Sequence, residues 1–149
     1  MRFFEELDLT DLKDSIVLLD LDGTLVPDGQ SDISERAMRK VEELKRANEV
    51  YLCSNSRNVE RRMKVGRQTG LAFTVEGIQK PSEKVVSFLG NISKPIVVIG
   101  DKAIIDGRLS RNLGAKFIKV RRKRSEKDSL FTRLVYWLDD FYYNIFSHI

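Results

Sequence analysis

The sequence predicts an α/β fold, a three-layer sandwich in which helices cover both faces of a mainly parallel central sheet. Short, nearly continuous apolar runs rich in β-branched residues alternate with segments of helical periodicity. Such runs are typical of parallel strands buried on both faces, and their alternation with helices indicates a doubly wound sheet. Polar residues also cluster directly after three of the runs, where ligands of such folds bind.

Five apolar runs are predicted as strands. They cover residues 15–19, 50–53, 71–75, 95–99 and 116–120. Each is short enough for a strand and too short for an independent helix. The first, second and fourth runs are followed by Asp20, Ser54 and Asp101, so these three residues are expected to meet at one edge of the sheet.

Four helices are expected between the strands. They cover residues 34–47, 59–69, 82–89 and 104–112. The first has an apolar stripe at helical spacing, formed by Ile33, Ala37, Val41 and Leu44. Gly70 and Gly114 follow helices at C-cap positions, and Pro81 stands in the first turn of the third helix.

The chain is expected to form a single domain over residues 1–149, with a core of about residues 15–120 and an appended C-terminal segment of residues 121–149. That segment begins with the basic block Arg121–Arg124 and continues as an amphipathic helix. Its apolar stripe consists of Leu130, Leu134, Leu138, Phe141 and Ile145, widened by Phe131, Val135, Tyr142 and Phe146. Wide apolar faces usually pack on protein, so packing on the sheet edge or on a second subunit is favoured. Contact with an anionic membrane is the alternative left open.

Composition excludes several classes of protein. Cys53 is the single cysteine, which excludes an internal disulfide framework and cysteine-cluster zinc sites and is typical of a reducing cytoplasm. His148 is the single histidine and stands beside the last residue, which argues against a histidine base in the core. No apolar run approaches the roughly 20 residues of a membrane span, and the acidic N-terminus does not resemble a signal peptide. A cytoplasmic protein is expected.

Two carboxylates, Asp20 and Asp22, follow the first predicted strand within the run LLDLDGTLV. Their spacing of two residues places both on one side of an extended strand end. Two close carboxylates disfavour joint ionisation unless a cation neutralises them, and Mg²⁺ suits a site with oxygen ligands only. The alternative is a plain turn or helix-capping role, because Asp-Gly-Thr is also a turn sequence.

Four motifs in order give a resemblance to the haloacid dehalogenase (HAD) superfamily. They are LLDLDGTLV, Ser54 after the second strand, Lys80 before Pro81, and GDKAIID at residues 100–106. The chain resembles this superfamily from residue 15 to about residue 120. The resemblance implies a Mg²⁺-dependent phosphatase that works through an aspartyl-phosphate on Asp20, with Asp22 as general acid and then general base.

The same resemblance implies roles for the other motif residues. Ser54 would hydrogen-bond the transferring phosphoryl group, and Lys80 would offset negative charge on that group and on the nucleophile. Asp101 would hold Mg²⁺ together with Asp20 and the backbone carbonyl of Asp22. Asp106 would support the loop and the lysine through hydrogen bonds. Thr24 and Asn55 are candidate substrate contacts, although Asn55 is an equally good helix cap.

No cap domain is expected, because residues 24–33 are only a short polar flap and residues 54–80 hold one helix and one short strand. An open site suits a phosphate on a large molecule. Among capless relatives the chain resembles the class IIIA, YqeG-like branch, which includes phosphatidylglycerophosphate phosphatases. The branch often has Asn in place of Gly23 and of Ser56. The resemblance implies a phospholipid head group as substrate and peripheral contact with the inner face of a membrane.

Other functions stay open from sequence alone. A capless phosphatase could act on nucleic-acid 3′-phosphates or sugar phosphates, and a HAD scaffold could bind a partner without turnover. A response-regulator receiver domain is disfavoured, because its acceptor aspartate lies on a middle strand and not after the first. Nucleic-acid binding is disfavoured because the basic block is short and no binding module accompanies it. The sequence leaves a homo-oligomer open.

Overall fold

A computed structural model describes residues 1–146, with side chains up to residue 145. His148 and the end of the predicted C-terminal segment lie outside this range. The strands are β1 (Ile16–Leu19), β2 (Glu49–Leu52), β3 (Ile96–Gly100) and β4 (Lys116–Lys119). The α-helices are α1 (Glu35–Ala47), α2 (Val59–Thr69), α3 (Arg108–Asn112) and α4 (Leu130–Phe146). Short 3₁₀ helices cover Phe4–Glu6 and Glu83–Leu89.

The sheet has four strands in the order β2-β1-β3-β4, and all neighbouring pairs are parallel. β1 is a central strand, with Leu19 level with Leu52 of β2 and Ile99 of β3. The carboxyl ends of these three strands therefore lie side by side. The predicted mainly parallel sheet is confirmed.

Helices and loops cover both faces of the sheet, which confirms the predicted three-layer α/β sandwich. Alternate residues of β1 point to opposite faces, as strand geometry requires. Val17 and Leu19 belong to one apolar core with α1 and α2, while Ile16 and Leu18 belong to a second core with residues 85–86 and Leu109 of α3. Both faces of β1 are buried, which explains its continuous apolar sequence.

Capping residues set the ends of α1 and α2 close to where the sequence places them. Ser34 precedes α1, and its hydroxyl accepts a hydrogen bond from the backbone N–H of Ala37 at 3.2 Å. Asn58 caps α2 in the same way through the N–H of Arg61 at 2.9 Å. Gly70 ends α2 at φ 66°, where its lack of a Cβ is needed. These two helix predictions are confirmed.

The predicted strand at residues 71–75 is wrong. Leu52 is the last residue of β2, and it forms one isolated bridge with Phe73. The N–H of Leu52 donates to Ala72, and the N–H of Thr74 donates back to Leu52. Because β2 ends at Leu52, residues 71–75 have no further partner residue with which to form a strand. Over the described residues the sheet therefore has four strands.

Two predicted helices have other geometries. Residues 83–89 form a 3₁₀ helix, and the predicted helix 104–112 is divided into a π turn, Ala103–Gly107, followed by α3. The carbonyl of Lys102 accepts hydrogen bonds from the N–H groups of both Asp106 and Gly107, at 2.7 and 3.3 Å. This wider turn holds Asp106 on the inner side of the loop, where it is fully buried.

The C-terminal helix α4 packs on the sandwich through its polar side, which corrects the prediction that its apolar stripe packs on the sheet edge. Asp139 is buried and accepts hydrogen bonds from the N–H groups of Ala103 and Ile104, both at 2.8 Å. Its carboxylate also pairs with Lys119 at 2.8 Å. The predicted stripe residues Leu130, Phe131, Leu134, Val135, Leu138, Phe141 and Ile145 face solvent instead, because these charged and hydrogen-bonding groups fix the opposite side of the helix. Tyr142 is half-buried, and the side chain of Phe146 lies outside the described residues.

No helix within residues 1–146 combines the length and the apolar character needed to cross a membrane. The longest, α4, has 17 residues.

Candidate active site

The carboxyl ends of β1, β2 and β3 bring the predicted motif residues together. Asp20 follows β1, Ser54 lies just beyond β2, and Asp101 follows β3 directly. Asp106 comes from the π turn after β3, and Lys80 enters from the loop before the 3₁₀ helix. All five residues are buried. Three strand ends and two loops thus converge on one polar cluster beneath the surface.

Lys80 is the central cation of this cluster. Its ammonium lies 2.5 Å from Asp20 Oδ1 and 2.5 Å from Asp106 Oδ1. Burial acts to lower the pKa of Lys80, but the Asp106 and Asp20 carboxylates outweigh it and hold that pKa well above its usual value. Burial likewise acts to raise the pKa of Asp20, yet Lys80 and Lys102 hold it below the ordinary range. Asp20 is therefore an ionised carboxylate at neutral pH.

Nearby cations compensate the negative charges of Asp101 and Asp106 less well than they compensate the charge of Asp20. Burial, followed by repulsion from Asp20, raises the pKa of Asp101 well above its usual value, and Arg122 only partly offsets this. Burial also raises the pKa of Asp106, although Lys80 opposes the shift. The Asp106 carboxylate additionally accepts the N–H of Lys102 at 3.1 Å, as expected for a residue that supports the loop.

Asp20, Asp101 and Asp106 offer oxygen atoms within 4.8 Å of one another, a spacing that a single metal ion could bridge. The set contains only hard oxygen donors, which suits Mg²⁺ rather than zinc. Their unbalanced negative charge, expressed in the raised pKa of Asp101, is what a divalent cation would relieve. The residues therefore fit a hard divalent cation, and Mg²⁺ is one such ion.

A tight turn after β1 shapes the floor of this site. Gly23 has φ 84°, and its N–H donates to the carbonyl of Val26 at 2.7 Å. A Cβ at Gly23 would overlap the Asp101 carboxylate, so glycine is needed here for close approach as well as for backbone conformation. Thr24 is fully buried and donates its hydroxyl to Asp20 Oδ2 at 3.0 Å. Thr24, a candidate substrate contact, is thus engaged with the nucleophile candidate itself.

Asp22 lies away from the buried cluster and faces Arg61. The guanidinium donates two hydrogen bonds to this carboxylate, at 2.7 and 3.0 Å, and the N–H of Gly29 adds a third at 3.0 Å. The side chain of Asp22 is one-fifth exposed and lines the open cleft above Asp20. This places a carboxylate beside the cleft, where it can reach a leaving group or a water molecule.

Ser54 and Asn55 occupy different positions relative to that cleft. The hydroxyl of Ser54 accepts the N–H of Ser56 at 3.1 Å and lines a neighbouring depression rather than the cleft itself. The side chain of Asn55 holds both backbone groups of Lys80, accepting its N–H at 2.7 Å and donating to its carbonyl at 3.1 Å. These hydrogen bonds show that Asn55 positions Lys80. Asn55 also lines the cleft.

Several residues at the site were missed by sequence reasoning. Lys102 and Arg61 line the cleft and add positive charge to its rim. Arg122 bonds to Asp101 and also reaches Asp28 Oδ2 at 2.5 Å. Arg122 belongs to the basic block for which membrane contact was left open, yet its side chain is only 8% exposed. Its position three residues after β4 was the available signal, because that strand end lies at the same edge of the sheet.

The cleft is open to solvent and free of a cap domain, as predicted. It is bounded by the flap (residues 24–33), the turn after β2 and the π turn. Its lining residues, besides Asp20, Asp22 and Lys80, are Asp28, Gly29, Asn55, Ser56, Arg61, Lys102 and Ile105. The lining thus includes three carboxylates, three cations and one amide side chain.

No protein-family model, curated protein or solved structure matches this chain. The arrangement of the site is therefore the basis on which a function can be proposed. Its distinctive features are a buried ionised carboxylate, a lysine bridging two carboxylates and a further carboxylate in need of a cation.

Proposed function

We propose that this chain is a magnesium-dependent phosphomonoester hydrolase in which Asp20 is the nucleophile. The observation that carries the proposal is the Asp20–Lys80 pair beside Asp101. Lys80 keeps Asp20 ionised, and Asp101 completes a ligand set for a divalent cation. A carboxylate nucleophile with a nearby cation is suited to phosphoryl transfer, where positioning and charge stabilisation dominate catalysis.

In the proposed reaction, Asp20 forms a bond to phosphorus while the bond from phosphorus to the leaving oxygen breaks. Asp22 would turn from Arg61 into the cleft and, in its protonated form, donate its proton to that oxygen, so an alcohol departs and an aspartyl-phosphate remains. Asp22 then accepts a proton from water as the water oxygen attacks phosphorus. Inorganic phosphate departs, and the Asp20 carboxylate is regenerated.

Other residues of the chain would stabilise charge during these steps. Lys80 and Lys102 lie beside Asp20, and the ammonium of Lys80 can face both the nucleophile and a bound phosphoryl group. Mg²⁺, held by Asp20, Asp101 and the backbone carbonyl of Asp22, would supply neutralising charge for the phosphoryl oxygens. Ser54 would need a small side-chain movement to serve the same group, since it lines the adjacent depression.

A phospholipid head group such as that of phosphatidylglycerophosphate is the proposed substrate class. The open cleft admits a phosphate attached to a large molecule, and Lys102 in its lining suits an anionic neighbour of the scissile group. Nucleic-acid 3′-phosphates and sugar phosphates share the monoester chemistry. They are therefore the competing substrates in the test below.

The test is phosphate release from phosphatidylglycerophosphate, sugar phosphates, nucleotides and 3′-phosphorylated DNA, with Mg²⁺ and with a chelator. Asp20→Asn should lose all activity, whereas Asp11→Asn makes the same charge change on an exposed residue before β1 and should stay active. If another substrate is preferred with the same dependence on Asp20, the lipid assignment fails and the chemistry stands. If no monoester is hydrolysed, the chain is a binding protein on this scaffold.

A further inference from the structure

The solvent side of α4 is apolar along its length. Eight large apolar side chains between residues 130 and 145 are at least 42% exposed. At 3.6 residues per turn they fall within roughly 160° of the helix circumference. We call this surface the apolar face; its central residues are Phe131, Leu134, Trp137, Leu138, Phe141 and Ile145.

The opposite side of α4 is already engaged with the sandwich. Asp139 and Asp140 both pair with Lys119, and Tyr143 packs edge-on against Phe117 with ring centroids 6.2 Å apart. The acidic residues of the helix therefore lie away from the apolar face. A contiguous exposed apolar surface of this kind marks an interaction site, because monomeric soluble proteins rarely expose one.

A basic flank accompanies the apolar face. Its members are exposed and have no ion-pair partner among the described residues: Arg121, Arg124, Lys127 and Arg133. Arg121 stacks on the ring of Phe3, with its guanidinium carbon 4.9 Å from the centroid. Glu126 and Asp128 are the acidic residues of the same stretch, and Asp128 is engaged in accepting the N–H of Ser125. The four cations outnumber these two carboxylates, so the stretch that leads into the apolar helix has a surplus of positive charge.

We propose that the apolar face and its basic flank dock this chain on the surface of an anionic lipid bilayer. An amphipathic helix binds such a surface by burying its apolar side among the acyl chains while nearby cations meet anionic head groups. Trp137 stacks on Phe141 with ring centroids 5.5 Å apart, and both rings are more than half exposed. Tryptophan is enriched at the boundary between water and hydrocarbon.

Charge favours a bilayer over a second copy of the chain. A two-fold symmetric dimer would place the same patch of each copy against the other. Such a dimer would bury the apolar face but would offer no acidic surface to the basic flank, because the exposed residues of the apolar face are uncharged. An anionic bilayer satisfies both parts of the surface at once, since it offers hydrocarbon to the apolar face and negative charge to the flank.

The docked helix would also lie beside the cleft, which is reached from the side of α4 opposite to the apolar face. Tyr136 of α4 donates its hydroxyl to Asp28 at 2.6 Å, and Asp28 lines the cleft. The helix therefore stands at the rim of the candidate active site. Docking itself depends on the apolar face and the basic flank; only its use for reaching a lipid substrate rests on the proposed function.

The experiment uses the full chain and vesicles of phosphatidylcholine, with or without an equal share of phosphatidylserine. Trp137 is the single tryptophan, so its fluorescence reports the apolar face directly. We expect a blue shift and co-sedimentation with the anionic vesicles at low salt, both reduced by added salt. Asp20→Asn should bind equally well, which separates failure of docking from failure of the proposed chemistry.

Two sets of variants test the surface, with circular dichroism to verify folding. The pair Leu134→Glu and Phe141→Glu should abolish co-sedimentation, while Val59→Glu and Met63→Glu on exposed positions of α2 should leave it intact. Replacing Arg124, Lys127 and Arg133 with Gln should weaken binding by about fivefold for each charge.

Three results would overturn the proposal. The first is no binding of the native chain to anionic vesicles at low salt. The second is equal binding by the Leu134→Glu, Phe141→Glu variant. The third is a stable dimer in light scattering that this variant dissociates, combined with no vesicle binding, which would assign the apolar face to a second copy.

Discussion

Three buried carboxylates lie near Lys80, but nearby cations do not compensate their negative charges equally. Lys80 bonds to Asp20 and Asp106, so these two share its compensation. Asp101 has Arg122 as its cationic partner and is repelled by Asp20. Asp101 is accordingly the residue whose ionised form is least favourable without a metal ion, and its behaviour distinguishes a metal site from a purely structural cluster.

Replacement of Asp101 should separate metal binding from folding. In a chelator at neutral pH, Asp101→Asn should raise the midpoint of thermal unfolding by roughly 2–5 °C, because it removes a buried negative charge next to Asp20. Mg²⁺ should raise the midpoint of the native chain by mass action and leave that of the variant unchanged. Differential scanning calorimetry with and without Mg²⁺ measures both effects.

The direction of the pH dependence follows from the raised pKa of Asp101. Above the ordinary aspartate range the folded chain holds a proton that the unfolded chain has lost, so stability falls as pH rises toward the folded pKa. Asp101→Asn should remove this loss and flatten the profile in that window. Asp11→Asn, on an exposed site, is the control. If Asp101→Asn were less stable than the native chain at neutral pH in chelator, the prediction would be contradicted.

The individual site residues differed in how well the sequence could predict them. Asp20 and Asp101 end predicted strands, and Lys80 and Asp106 belong to motifs with fixed context, so local sequence was sufficient to bring them together. Arg61 meets Asp22 across 39 residues through a helix face that no motif marks. Such pairs depend on how helices are placed over the sheet, which residue spacing along the chain does not encode.

Helices and strands whose ends are marked by residues in their own sequence were predicted correctly. Segments whose structure depends on contacts with other parts of the chain were not. Ser34 and Gly70 fix the ends of their helices through local caps. The run at residues 71–75 has strand composition but lacks a partner beyond Leu52. For α4, periodicity identified the apolar stripe, yet the buried Asp139 determines which side packs inward. Apolar periodicity alone could not reveal that the polar side of α4 forms the hydrogen bonds and ion pairs with the rest of the fold.

The flap (residues 24–33) is held to α2 by Arg61. This guanidinium donates to the carbonyl of Gln30 at 2.7 Å and to both oxygens of Asp22. Arg61→Met should therefore lower the free energy of unfolding by about 3 kcal/mol, because it leaves a partly buried carboxylate without its partner. Hydrogen exchange of the flap amides should also become faster than in the native chain.

Arg67→Met on the exposed side of the same helix is the matched control, and it should change neither quantity. Denaturant unfolding and hydrogen exchange by mass spectrometry give the two measurements. Unchanged exchange in the flap of Arg61→Met would show that other contacts, such as Gln68 with the carbonyl of Ser31 at 3.0 Å, are sufficient to hold it.

Asp139 attaches α4 to the π turn and to β4. Asp139→Ala removes the acceptor of the Ala103 and Ile104 N–H groups and one of the two carboxylate partners of buried Lys119. We expect a loss of 3 kcal/mol or more, in the range of about 3–5 kcal/mol for a broken buried pair. Exposed Asn144→Ala on the same helix should have little effect. Equal stability of both variants in urea unfolding would refute this anchoring role.

For the whole molecule, one network joins segments that are distant in sequence. Arg122 bonds to Asp101 after β3 and to Asp28 in the flap, and it lies 3.2 Å from the ring centroid of Tyr136 in α4. The alternation of strands and helices was enough to predict the sandwich. It could not predict that the C-terminal segment closes on the site, because that depends on long-range ion pairs between isolated residues.

This network implies that metal binding and the C-terminal segment are energetically coupled. Because Arg122 and a bound cation would both face Asp101, removing the guanidinium should strengthen Mg²⁺ binding while weakening the metal-free fold. We expect Arg122→Gln to lower the unfolding midpoint in chelator and to tighten Mg²⁺ binding by about tenfold, a typical coupling between neighbouring sites. Arg122→Lys keeps the charge and should retain most of the native affinity. Isothermal titration of each variant with Mg²⁺ measures the change, and equal affinity for Arg122→Gln and the native chain would mean that guanidinium and metal do not compete for Asp101.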